Sequence, residues 1–307
     1  MGMSPEPPRT RPPRLRIAGA VAGLLIGTTA AVLGPAAPAS ANVPGLQWLT
    51  ASSNTDSLVY KAVTVNCPAG TVVVGGGYSL VGAEGSVVLD DFIPTTTTLR
   101  VGAGEIVGPG EPADGTTASW QVVASVACAN PLPGYEIVEG TFSFGAFTRH
   151  GNSQAICPNG KHVIGGGESL SNGFGQISPD ELFIADTLVH TGADADEDGY
   201  SGTWSMTAYA ICATGMPVDT RFANDTGPAS PNGKAASVSC DPGELALGVG
   251  WYTSVSNSDT AGQVVVPSVN RVEGSPGTVT ATGHEDPNGY SGNWLVTAEA
   301  VCALTSG

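Results

Sequence analysis

Trp and Cys stand eight positions apart three times in this chain, in Trp120–Cys128 (WQVVASVAC), Trp204–Cys212 (WSMTAYAIC) and Trp294–Cys302 (WLVTAEAVC). A second spacing of eight precedes each copy: Cys67 to Gly75, Cys157 to Gly165 and Cys240 to Gly248. One unit is therefore repeated three times, and such units fold by burying a shared core rather than singly. Pro44, Pro133 and Pro217 lie 23, 24 and 23 residues before the first cysteine of their copies. They place the units at 42–131, 132–215 and 216–307, expected to form one domain. The units account for the chain after residue 41, so no separate catalytic domain is expected.

Within a unit the pattern has period two, the mark of a strand with one buried face. Trp120, Val122, Ala124, Val126 and Cys128 share a face, and the equivalents in the other units are as apolar. Small residues in the middle of that face imply close approach by another sheet or by a symmetry axis. Val63, Val65 and Cys67 alternate in the same way. A Pro–Gly turn follows each first cysteine, and the next strand runs into glycines, which mark a bulge, a bend or close backbone packing. Further strands are expected over Ser86–Ile93, Glu181–His190 and Gln263–Val269. Three units of about four strands predict an all-β fold of three pseudo-symmetric antiparallel units. A β-prism of three four-stranded sheets fits best; a β-trefoil and three tandem sandwiches are the alternatives.

Residues 1–41 read as a secretory signal peptide. Arg9, Arg11, Arg14 and Arg16 precede an apolar stretch from Ile17 to Leu33, and Pro38-Ala39-Ser40-Ala41 is a small-residue cleavage site. Without this segment, 7 basic and 26 acidic residues remain of the 11 and 27 in the whole chain, a net charge of −19. That charge disfavours nucleic acid as a partner. No membrane span is expected in the mature chain. Six cysteines in an exported chain imply disulfides. Six admit fifteen pairings, and the repeat favours Cys67–Cys128, Cys157–Cys212 and Cys240–Cys302.

The motif C-P-x-G, then G-G-G, then Trp and a closing Cys-Ala resembles a repeat of secreted actinobacterial proteins of unknown role. It is carried by Cys67-Pro68-Ala69-Gly70 with Gly75–Gly77, by Cys157-Pro158-Asn159-Gly160 with Gly165–Gly167, and by Cys128-Ala129, Cys212-Ala213 and Cys302-Ala303. Unit three departs from it at Cys240-Asp241-Pro242-Gly243 and Gly248-Val249-Gly250. The resemblance spans the three units and implies no activity. The three-unit disulfide layout is also similar to that of the vitelline membrane outer layer protein, which implies a β-prism.

Asp194, Asp196 and Asp198 alternate before Gly199 and form a candidate calcium site; no other cofactor is expected. A solvated acidic turn accounts for the same residues, and no glutamate stands at the twelfth position, which is Ser205. The corresponding loops, with Glu111 and Asp114 and with Glu285 and Asp286, are acidic without the alternation. The adjacent carboxylates Asp90-Asp91, Asp180-Glu181 and Glu285-Asp286 are expected on opposite strand faces, where they make no acid–nucleophile pair. The histidines repeat no position, and the motifs G-x-S-x-G and H-E-x-x-H are absent. No catalytic residue stands out. Trp120, Trp204 and Trp294 are expected in the core rather than as sugar platforms; Trp48, Trp251 and Tyr252 break the repeat and are freer to meet a ligand. The chain is expected to be a secreted, non-enzymatic protein for extracellular binding or surface association, of glycan or envelope polymer. A structural or protective protein is the alternative class, and a secreted hydrolase the third.

Overall fold

The computed structural model describes residues 43–108, 115–216, 218–225, 233–256 and 262–304. The secretory signal expected over 1–41, and Glu111 and Asp114, lie outside them. Each unit contributes six strands rather than about four. Unit one has β1 (Gln47–Ser52), β2 (Tyr60–Asn66), β3 (Val72–Val81), β4 (Val87–Pro94), β5 (Thr98–Glu105) and β6 (Gln121–Ala129). Unit two has β7 (Glu136–Phe144), β8 (His150–Ile156), β9 (Lys161–Ser171), β10 (Ile177–Ile184), β11 (Leu188–Ala195) and β12 (Trp204–Thr214). Unit three has β13 (Asp219–Asn224), β14 (Lys234–Ser239), β15 (Glu244–Val255), β16 (Val264–Arg271), β17 (Thr278–Glu285) and β18 (Trp294–Leu304). No α-helix occurs among the described residues, and none there is long and apolar enough to cross a membrane.

The strands form three antiparallel six-stranded sheets, ordered β1-β6-β3-β16-β17-β14, β13-β18-β15-β10-β11-β8 and β2-β5-β4-β9-β12-β7. We call them the first, second and third sheets. No sheet belongs to one unit. Each unit splits into two three-stranded halves, and each sheet joins a half of one unit to a half of the next. This corrects the expected four-stranded sheets: period two marks a strand and its buried face but not the sheet in which it pairs. The strand expected over Glu181–His190 is instead the end of β10, a turn over 185–187 and the start of β11, whose apolar residues imitate one continuous run.

The disulfides close within units, Cys67–Cys128, Cys157–Cys212 and Cys240–Cys302, as the repeated spacing implies. Cys67 follows β2 and Cys128 lies in β6, which belong to different sheets. Each bridge therefore ties together the two halves of a unit that the sheets divide. Three such bridges suit an oxidising compartment.

Where the units meet within a sheet, the ladder is only two residue pairs long. The pairs are Ser268–Ser79 with Val269–Tyr78, Glu181–Tyr252 with Leu182–Trp251, and Asp91–Ser169 with Phe92–Glu168. At the centre the expected close approach is made by the glycines. β3, β9 and β15 each bulge just before Gly75, Gly165 and Gly248. A Cβ on Gly75 would run into Leu247 O and lie 2.8 Å from the Cα of Gly248; one on Gly248 would lie 3.0 Å from the Cα of Gly165; one on Gly165 would lie 2.6 Å from Val74 O. The contacts run in a ring, so the three backbones meet at a threefold axis where no side chain fits. Around it one apolar core runs through all three units. Trp120 and Trp294 are buried in this core and Trp204 in a separate cluster with Leu170, Ile177 and Met206, at 0%, 3% and 1% exposure, which excludes them as sugar platforms. Trp251 is fully buried as well, in edge contact with Tyr78 at 5.4 Å and with Phe92 at 6.2 Å, and is withdrawn as a ligand contact.

Candidate functional site

The short ladders between units leave openings on the sheets. In the first sheet, the junction of units one and three holds a cavity of about 650 Å³ lined by Trp48, Thr50, Ser79, Ser125, Asn270, Arg271 and Glu273. Trp48 is half-buried, and Arg271 places its guanidinium 4.9 Å from the centre of the indole ring. The indole Nε1–H is shielded from solvent and has no acceptor. Thr50 and Ser125 hydroxyls are 3.2 Å apart, and Ser79 and Ser268 hydroxyls 2.8 Å apart. Asn270 Nδ2 donates to both Ser79 and Ser125, at 3.5 Å each, while its Oδ1 accepts from Arg271 N at 3.1 Å. Burial lowers the pKa of Arg271, and Glu273 opposes the shift. The lining is thus a set of hydroxyl and amide groups able to donate and accept, beside one cation and one aromatic ring.

The same place in the other sheets is built from other side chains. Ser125, Tyr209 and Glu299 each stand three residues before the second cysteine of their unit. In the second sheet a smaller cavity of about 310 Å³ is lined by Phe183, Asp186, Thr220, Phe222 and Glu299 among others. Glu299 is fully buried there and accepts from Ile184 N at 3.0 Å. Burial pushes its carboxyl up to about 8, against the pull of the Ile184 N–H and with some repulsion from Glu181. In the third sheet the buried Tyr209 holds this position, its hydroxyl 3.2 Å from that of Ser169. Trp48 is replaced by Ile137 and Thr220, each opposite the residue preceding the second cysteine.

The acidic residues singled out from the sequence are distributed differently from expectation. Asp194, Asp196 and Asp198 do not converge. Asp194 is grouped with His150 and Asp180, and Asp196 with Glu197 and Asp286 of the neighbouring unit. Asp194 belongs to β11 and faces β8, whereas Asp196 lies beyond the strand end, its backbone N–H bonded to Gln176 O at 3.1 Å. Strand alternation does not survive past that end. Burial, with a side-chain hydrogen bond to Glu197 and repulsion from Asp286, pushes Asp196 up to about 8. Burial also raises Asp198, with repulsion from Glu197 and an opposing pull from Arg149.

The expectation that adjacent carboxylates point apart also fails, because a β-bulge sits at each of the two strand positions. Asp90 is skipped in the β4–β5 ladder and Asp180 in the β10–β11 ladder. A bulge sets two residues against one and interrupts the alternation. A Cβ on Gly192 would lie 2.7 Å from Asp180 Oδ1 and 3.3 Å from Glu181 Cβ, so both side chains lie over the same residue. In unit one the equivalent slot holds an arginine: Arg100 donates to Asp91 and, at 2.8 Å, to the Tyr60 hydroxyl, which itself donates to Asp91 at 2.9 Å. Burial pushes Asp90 beside them up to about 6, against Arg100 and Tyr60. No sequence signal distinguishes this bulge from a regular strand.

No protein-family model matches the chain, and no curated protein matches it significantly.

Proposed function

We propose that the protein is a secreted, disulfide-braced, non-catalytic binding protein whose first-sheet groove takes a polyhydroxylated ligand, an extracellular glycan or envelope polymer. The observation that carries this is the half-buried Trp48 under Arg271, at the edge of a cavity of about 650 Å³ walled by Thr50, Ser79, Ser125 and Asn270. An aromatic face with a few polar groups able to donate and accept suits a sugar ring. Arg271 adds a preference for glycans bearing carboxylates. Among the described residues of the lining Glu273 is the one carboxylate, whereas glycoside hydrolysis uses a pair. The signal peptide read over residues 1–41 and the three disulfides support export.

The test is a glycan array followed by fluorescence titration of each hit. Trp48 is the half-buried tryptophan, while Trp120, Trp204, Trp251 and Trp294 are buried. Ligand should therefore shift the emission of the wild type and leave that of Trp48→Leu unchanged. Arg271→Gln should lower affinity for acidic glycans at least tenfold and leave the melting temperature within a few degrees. Binding that survives both substitutions would move the site elsewhere. An array without hits would favour the structural or protective reading.

A further inference from the structure

We propose that His150, Asp180 and Asp194 of unit two form a binding site for a divalent transition-metal ion of the zinc class. Three strands of the second sheet supply the ligands: His150 begins β8, Asp180 is the bulge residue of β10, and Asp194 stands near the end of β11. One ligand atom from each lies within 4.8 Å of the others. His150 Nδ1 is 2.7 Å from Asp194 Oδ1. Metal–ligand bonds of about 2 Å in a tetrahedron separate ligand atoms by roughly 3.3 Å, so the group needs to open slightly at one contact and close at the others.

Two further observations point to a cation. Asp180 Oδ1 is removed from solvent and has no hydrogen-bond donor. Asp194, itself 4% exposed, has its polar partner in the imidazole. A carboxylate oxygen shielded from solvent without a donor, as Asp180 Oδ1 is, is costly unless a cation compensates it.

Comparison of the units shows what supplies that charge elsewhere. By strand position, Tyr60, Asp90, Asp91, Arg100 and Gly104 of unit one correspond to His150, Asp180, Glu181, His190 and Asp194. Unit one has two carboxylates and an arginine. Unit two has three carboxylates, and His190, 3.3 Å from Glu181, replaces the arginine. Unit three has Pro267, Ser268, Thr280 and His284 at the corresponding strand positions and no carboxylate. A dication held by His150, Asp180 and Asp194 restores the compensation that Arg100 gives unit one. One imidazole and two carboxylates suit zinc, which also leaves a fourth position for water; calcium prefers six or more oxygens. Glu181 and His190, 3.3 Å apart, flank the site.

The experiment uses the full exported chain, untagged and treated with chelator. One equivalent of Co²⁺ should produce a visible absorption band, and Zn²⁺ in hundredfold excess over its dissociation constant should raise the melting temperature by roughly 5 °C. His150 is exposed, so His150→Ala keeps the fold and should lose the Co²⁺ band; the isosteric Asp180→Asn should weaken zinc at least tenfold. Asp90→Asn in unit one should bind as the wild type does. An untouched melting transition and no band at 100 μM metal would overturn the proposal and leave a proton shared between Asp180 and Asp194. Equal binding by the wild type, His150→Ala and Asp180→Asn would overturn it too, in favour of the Asp196–Glu197–Asp286 group.

Discussion

Trp120 and Trp204 occupy the same place in units one and two, in opposite chemical surroundings. Trp120 Nε1 donates to the buried Glu105 at 3.2 Å, and Lys61 lies 4.6 Å above the ring while donating to Trp120 O and, at 2.7 Å, to Asp56 O. Unit three repeats this cage with Lys234 and Glu285 around Trp294. In unit two the lysine is Gly151 and the glutamate Ala195. Phe144 fills the space, its ring 4.1 Å from that of Trp204, and the indole N–H turns to Thr148 O at 3.3 Å. The exchange is concerted: a Cβ on Gly151 would lie 2.5 Å from both rings. Glycine axis, bulges and disulfides are common to the units, while the chemistry packed on them has diverged. Specific function is therefore best sought where one unit differs from the others, as at Trp48 and in the His150 cluster.

The sharpest way to break this comparison is to remove the two tryptophans. Trp120→Ala and Trp204→Ala should each lower stability by about 3–5 kcal/mol in urea unfolding with disulfides intact. Trp120→Ala should be the worse of the two, because Glu105 and Lys61 then remain buried without the ring between them. Equal losses would mean that the ionic cage adds nothing to the cavity left by the ring.

Glu168 sharpens the comparison at the centre. It takes the place of Tyr78 and Trp251, is fully buried, and neither carboxyl oxygen has a partner. Burial, and then repulsion by Glu181, raises its pKa well above 4.5. The folded state therefore holds this proton more tightly than the unfolded chain. Its contribution to stability is greatest below pH 4.5 and falls as pH rises through the folded value. Glu168→Leu should remove that fall and gain about 1–3 kcal/mol at pH 8, with less gain at pH 5. Urea midpoints at both pH values measure it, and a loss at pH 8 would show that the acid is satisfied.

The smallest effect is expected at Arg100. Its pair with Asp91 is partly exposed, so Arg100→Gln should lower stability by about 1 kcal/mol or less. It should also raise the Asp90 carboxyl above about 6, since Arg100 holds that value down. Carboxyl NMR titration reads the shift, and an unchanged Asp90 would remove the analogy between the unit-one slot and the unit-two cluster.

The repeat, the strand class, the buried tryptophan face and the pairing of cysteines could all be derived from the linear chain. Each rests on spacing along one strand or on equivalence between copies, and Trp120 to Cys128 carries both signals in nine residues. The axis was half legible: glycines at 75, 165 and 248 signalled close approach without saying to what. The division of each unit between two sheets was not legible, because the hydrogen bonds joining Tyr78 to Val269 or Phe92 to Glu168 connect residues from separate units, and backbone donors and acceptors are alike at every residue. The bulges at Asp90 and Asp180 were not legible either, and with them the placing of Asp180 beside Glu181 over Gly192. Trp48 was visible only as a break in the repeat; Arg271, from the far end of the chain, became its partner when unit three closed the sheet that unit one begins.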